Sequence, residues 1–139
     1  MSKLANAFHH QLEEVNAAHL SGEALGWAVG KAEGLDVFLA PPEYGNPWRV
    51  FARYQGQAIV HTKRFNPWEN WAVGGPLIDK HRGGLQWNPH MDSSKYCYSG
   101  GPGTAMAWLY GPTPLVAFFR SLVKSKLGDT VQVPKKLMP

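Results

Sequence analysis

Residues 111–128 admit little other than a buried helix. Gly111-Pro112-Thr113-Pro114 sets a capping hydroxyl at Thr113, directly before a proline whose missing N–H does no harm in a first helical turn. Leu115, Phe118, Phe119, Leu122 and Val123 then recur at three- and four-residue spacing, which gathers large apolar side chains on one stripe. Gly128 supplies the stop. The pattern predicts a helix over 114–127 as the central core element, around which everything else must pack.

A second helix is expected over about 22–33. Ser21 stands at its N-cap, Glu23 in its first turn, and Leu20 and Leu25 at the staple positions around the cap. Leu25, Ala28, Val29 and Ala32 form the apolar face, and Gly34 ends it. Between the two helices the period changes toward strands: 35–40, 48–54 and 57–61, with 85–87 and 104–110 following. Gly75-Pro76 reads as the opening of a short helix that Gly83 closes, and 88–103, rich in Gly, Pro, Ser and Asn, as a long loop. Leu4, Phe8, Leu12 and Val15 fall at helical spacing, so residues 1–18 read as an N-terminal extension with a short amphipathic helix. The expectation is an α+β fold: one small domain over 19–139, with two to three helices on a short-stranded, mainly antiparallel sheet.

At 139 residues the chain suits one domain with one core. Six Trp, six Phe and five Tyr supply more aromatic surface than such a core requires, so some of it is expected at the surface. The formal charge of +4 is spread along the chain, with its one local cluster at Lys135-Lys136. Nucleic acid is therefore a possible but not a favoured partner, because binders usually show a dense basic stripe. One cysteine excludes an internal disulfide framework. No apolar run approaches a membrane span, and the N-terminus lacks a signal peptide's apolar core, so the cytoplasm of a bacterial host is the expected compartment.

Candidate chemistries are weak. Cys97 has His90 and Asp92 nearby in sequence, yet it sits in a loop without a helix N-terminus to activate a thiolate, and an inert cysteine is expected. His9 and His10 are adjacent and the other histidines isolated, so no metal-ligand spacing exists and no metal or cofactor is implied. Ser99-Gly100-Gly101-Pro102-Gly103-Thr104 lacks the Gly-Lys-Ser/Thr ending of a phosphate loop. Gly74-Gly75-Pro76 precedes the expected short helix, whose free N–H groups suit an anion, although a plain helix start explains the same residues.

Three segments carry a family likeness. The first begins Leu20-Ser21-Gly22-Glu23 and runs through Trp27 to Gly34. The second is Phe65-Asn66-Pro67-Trp68-Glu69-Asn70-Trp71 continuing to Asp79. The third runs from Gly111 to Arg120 and closes at Lys126-Leu127-Gly128-Asp129. In order and wording they resemble the NinX-like family of phage and prophage proteins, a domain of unknown function, over roughly residues 19–134. The resemblance implies a small phage or prophage accessory protein and brings no catalytic residues with it. In the second segment the family often has Ser-Thr-Asp where this chain has Trp68-Glu69-Asn70, which puts any role of that hydroxyl-bearing turn in doubt.

What remains is a binding reading. Trp68 and Trp71 flank polar residues in a loop, where they either lid the core or present contact area to a partner. The expected face joins Arg64, Trp68, Trp71, Gly74 and Gly75 with Gly111, Pro112 and Thr113. Its reasoning is that rigid turns before two helices aim unpaired N–H groups and side chains outward. The expected partner is an unknown host or phage protein; a small hydrolase or transferase with an unrecognised site is the competing class.

Overall fold

The computed structural model describes residues 10–91 and 94–139. Among the described residues three helices, α1 (Gly22–Ala32), α2 (Trp71–Lys80) and α3 (Pro114–Leu127), pack with eight short strands. The strands divide among three antiparallel sheets: β1 (Leu12–Asn16) with β8 (Thr130–Pro134), β2 (Asp36–Ala40) with β3 (Arg49–Gln55) and β4 (Val60–Arg64), and β5 (Gly84–Trp87) with β6 (Tyr98–Gly101) and β7 (Leu109–Gly111). The fold is α+β, as expected.

Helix α3 is the axis. Thr113 Oγ1 accepts from Val116 N at 3.1 Å, Pro114 takes the first turn, and the chain leaves through Gly128 at φ 102°. Phe118, Phe119, Leu122 and Val123 are wholly buried, with α1, α2 and the β5–β6–β7 sheet around them. A fully buried Phe or Leu contributes about 1.5–3 kcal/mol, so this stripe is the main source of stability. Ser121 ties the helix to the sheet, donating to the Gly100 carbonyl and accepting from Leu109 N at 2.7 Å.

Helix α1 ends in a Schellman turn: Gly34, at φ 70°, donates to Lys31 O at 3.1 Å and Leu35 N to Gly30 O at 2.9 Å. Ser21 holds the N-cap position without a side-chain bond, and Glu23 points instead across to β3.

Five expectations change. The third strand, expected at 57–61, runs over Val60–Arg64, because the preceding residues are spent on the turn in which Gly56 N donates to Ile59 O at 2.8 Å. Residues 12–16 form a strand rather than a helix, because they complete a ladder with 130–134 that neither segment signals alone; residues 1–9 lie outside the described residues. Helix α2 starts at Trp71, not at Gly75-Pro76, because Asn70 Oδ1 caps Ala72 N at 3.0 Å, leaving Pro76 inside the helix. The expected loop at 88–103 contains β6, whose glycines let neighbours close in: a Cβ on Gly101 would stand 2.4 Å from Trp108 Cδ1. Of the strand expected at 104–110, only the end survives, as β7.

Candidate functional site

Strand β4 and helix α2 frame a cleft of about 410 Å³. Its apolar floor comes from Leu35, Phe65, Val73 and Leu77, and its charges from Glu33, Lys63, Arg64 and Lys80. The register explains the convergence. Pairing of Ala52 with Lys63 and Tyr54 with His61 turns Lys63 and Tyr54 to the same side of the sheet, where α1 delivers Glu33 and α2 delivers Lys80.

Glu33 holds the site together. Its side chain is 3% exposed, with Lys80 Nζ 2.9 Å from Oε1 and His81 Nε2 2.8 Å from Oε2. Burial pushes this carboxyl up, but hydrogen bonds and charge from Lys80 and His81 outweigh that and hold it below the usual carboxylate range. Tyr54 lies beneath Lys63, whose Nζ is 5.9 Å from the ring, and burial pushes its phenol up. Arg64 is locked differently. Both Nη atoms grip the Glu23 carboxylate, Nη1 also donates to Val50 O at 2.9 Å, and Glu23 accepts Val50 N at 2.8 Å. The guanidinium stands 5.5 Å from the Trp68 ring. Lys63 is exposed and makes none of the ion pairs among the described residues.

The expected binding face divides. Arg64 lines the cleft, and Trp71, 54% exposed, precedes the lining residue Ala72. Trp68 is 9% exposed and packs on α1, where a Cβ at Gly26 would stand 2.3 Å from its Cζ3, so it is a core lid. Gly74 is buried inside α2, and a Cβ there would meet Pro67 O at 2.6 Å and Leu115 Cδ2 at 3.0 Å; Gly75 faces open space. That contact sets α2 against the start of α3. Gly111 belongs to β7 and lets it approach Ala117 N, while Pro112 and Thr113 are exposed at the turn. The expected outward N–H groups are mostly taken: Ala72 N by Asn70 Oδ1, Val73 and Gly74 N by Asn70 O, and Val116 N by Thr113. A phosphate-cradling Gly74-Gly75 turn is therefore absent.

Sequence reasoning missed Glu33, Tyr54, Lys63, Lys80 and His81. They come from four separate parts of the chain, and no local pattern announces that they converge.

Cys97 is buried, with Sγ 3.5 Å from Pro112 O, and His90 lies at the surface; Asp92 is outside the described residues. Among the described residues no three His, Cys, Asp or Glu side chains gather as a metal site. Nor does any described helix have the length and apolarity to cross a membrane.

No curated protein matches the chain significantly. The sequence profile of the bacteriophage P22 NinX family does, over residues 16–126, a span that runs from the end of β1 to the last turn of α3 and takes in the whole cleft. With most of its length inside that match, the chain belongs to the bacteriophage P22 NinX family.

Proposed function

We propose that this NinX-family chain is a phage accessory protein that acts by binding a host or phage protein, not by catalysis, and that the cleft between β4 and α2 with Trp71 beside it is the binding face. The observation carrying this reading is the state of the cleft's ionisable groups. Glu33 is consumed by Lys80 and His81, and Arg64 by Glu23, which leaves, among the described residues, a pre-shaped cationic cleft whose one carboxylate is already engaged and whose unpaired charge is Lys63. Trp71, half exposed at the first position of α2 and next in sequence to the cleft-lining Ala72, adds an aromatic side chain of the kind that anchors interfaces.

The test is affinity capture from phage-infected host cells with wild type, Trp71→Ala, Lys63→Glu and Tyr44→Ala. Tyr44, 95% exposed on the β2–β3 loop, reports non-specific loss. One protein retained stoichiometrically by wild type and Tyr44→Ala, and lost with the other two, supports the face. Equal capture by all four removes it.

A further inference from the structure

The same sheet has a second side. Side chains alternate along its strands, so Val37, Leu39, Val50 and Ala52 face the core while Asp36, Phe38, Arg49, Phe51, Arg53 and Arg64 share the outer side. There Phe38 and Phe51 sit directly opposite on adjacent strands, ring centroids 5.9 Å apart, and both keep part of their surface in solvent. Arginines lie over them: Arg53 3.9 Å from the Phe38 ring, Arg49 5.3 Å and Arg64 6.0 Å from the Phe51 ring.

The charges on this side are unbalanced. Arg64 is spent on Glu23, but Arg49 is in none of the ion pairs among the described residues, and its buried Nε meets no hydrogen-bond partner. Arg53 has only Asp36, at 3.4 Å with both side chains well exposed, a contact of little strength that a phosphate can replace. Basic residues scattered along the sequence are thus brought together by register, on top of two aromatic rings.

We infer that this outer side binds single-stranded nucleic acid, with unpaired bases stacking on the Phe38–Arg53 and Phe51–Arg49 pairs and the Arg49 and Arg53 guanidinium groups holding phosphates, that of Arg53 in exchange for Asp36. Aromatic rings and guanidinium planes are the surfaces on which unpaired bases stack, whatever their sequence, and arginine matches phosphate bidentately. A duplex buries its base faces and offers nothing to the rings. With two stacking positions, the site takes a few nucleotides and binds with little sequence preference. The inference does not rest on the cleft: Lys63 and Tyr54 face the opposite side of the sheet, and Arg64, which borders both, is already spent on Glu23.

Fluorescence anisotropy with a labelled oligothymidylate tests it. Affinity should fall with added KCl at a log–log slope of about −1.4, the value for two phosphate contacts on a single strand. Arg49→Gln combined with Arg53→Gln should weaken binding at least about tenfold, and Phe51→Leu several-fold, while Trp71→Ala leaves it unchanged. Thermal melts confirm folding; if Phe51→Leu melts early, Phe38→Leu replaces it. The inference is overturned by absence of binding at low salt, by binding that the double arginine variant or the folded phenylalanine variant retains in full, by equal affinity for inorganic polyphosphate, or by tighter binding of duplex than of single strand.

Discussion

Arg120 Nε donates to the Leu20 carbonyl across 2.7 Å, fastening the middle of α3 to the turn that leads into α1. Its Nη1 donates to Tyr110 O at 2.9 Å, so the same side chain also holds β7. The residue is 9% exposed and in none of the ion pairs among the described residues; it is a buried cation solvated by backbone. Burial draws its pKa down while Tyr96 pulls it the other way, and the guanidinium stays charged because its ordinary value is so high. A lysine has one ammonium where two separated carbonyls must be reached. Arg120→Lys should therefore lower the unfolding free energy by about 2–4 kcal/mol in urea titrations. A loss below about 0.5 kcal/mol would mean the carbonyls find other donors.

The tryptophans of the second segment should separate cleanly in stability. Trp68 fills the space above Gly26, so Trp68→Ala leaves a cavity and should cost about 3–5 kcal/mol, as should Phe119→Ala in the centre of α3. Trp71→Ala removes a half-exposed ring and should stay within about 0.5 kcal/mol. Parallel chemical denaturation of the three variants checks both figures. Similar losses for Trp68→Ala and Trp71→Ala would contradict the burial assigned to each.

These two residues also show what the sequence could and could not convey. Helix α3 was legible to its ends because cap, first-turn proline, apolar stripe and terminal glycine are all local signals. Strands β1 and β8 were not, since Leu12 is half exposed and the ladder joins Leu12 to Pro134 across almost the whole chain. Strand β6 was hidden by Gly100 and Gly101, which read as loop; they are glycines because Leu85 and Trp108 occupy the space of a Cβ. For α2, Gly75-Pro76 was the louder signal and Asn70 the true one. At the candidate site the same limit applies. Trp68 and Trp71 look alike in sequence, and only the packing of α1 sends one inward. Glu33 and Lys80 lie 47 positions apart, so their pairing is a property of the fold.

The Glu33 cluster should give stability a defined acid limb. Its carboxyl titrates lower in the folded chain than in the unfolded one, held down by Lys80 and His81 against the opposing effect of burial. The contribution is thus complete above the ordinary carboxylate range and is lost as pH falls through the folded pKa. Glu33→Gln should lower stability by about 1–3 kcal/mol at neutral pH, and the gap to wild type should close on acidification. Urea midpoints measured from neutral pH down through the carboxylate range test this, and a gap constant with pH would show that Glu33 acts by shape and not by charge.

Arg82 occupies a position that usually belongs to glycine. Helix α2 ends in a Schellman turn, with Arg82 N donating to Asp79 O at 3.0 Å and Gly83 N to Ile78 O at 2.9 Å, and the left-handed residue between them is Arg82 at φ 50°. Glycine stands one place later because the Phe118 ring leaves no room there: a Cβ on Gly83 would lie 2.3 Å from Phe118 Cε2. Core packing has fixed the glycine at 83, so the strained conformation falls on an exposed arginine. Arg82→Gly should relieve that strain and raise stability by about 0.5–1 kcal/mol, even after the added flexibility of the unfolded chain. Arg82→Val should do the reverse, since a β-branched residue tolerates the left-handed region least. Melting temperatures that rank Gly above Arg above Val would confirm the turn; an order with Val at or above Arg would show that the left-handed conformation is not maintained.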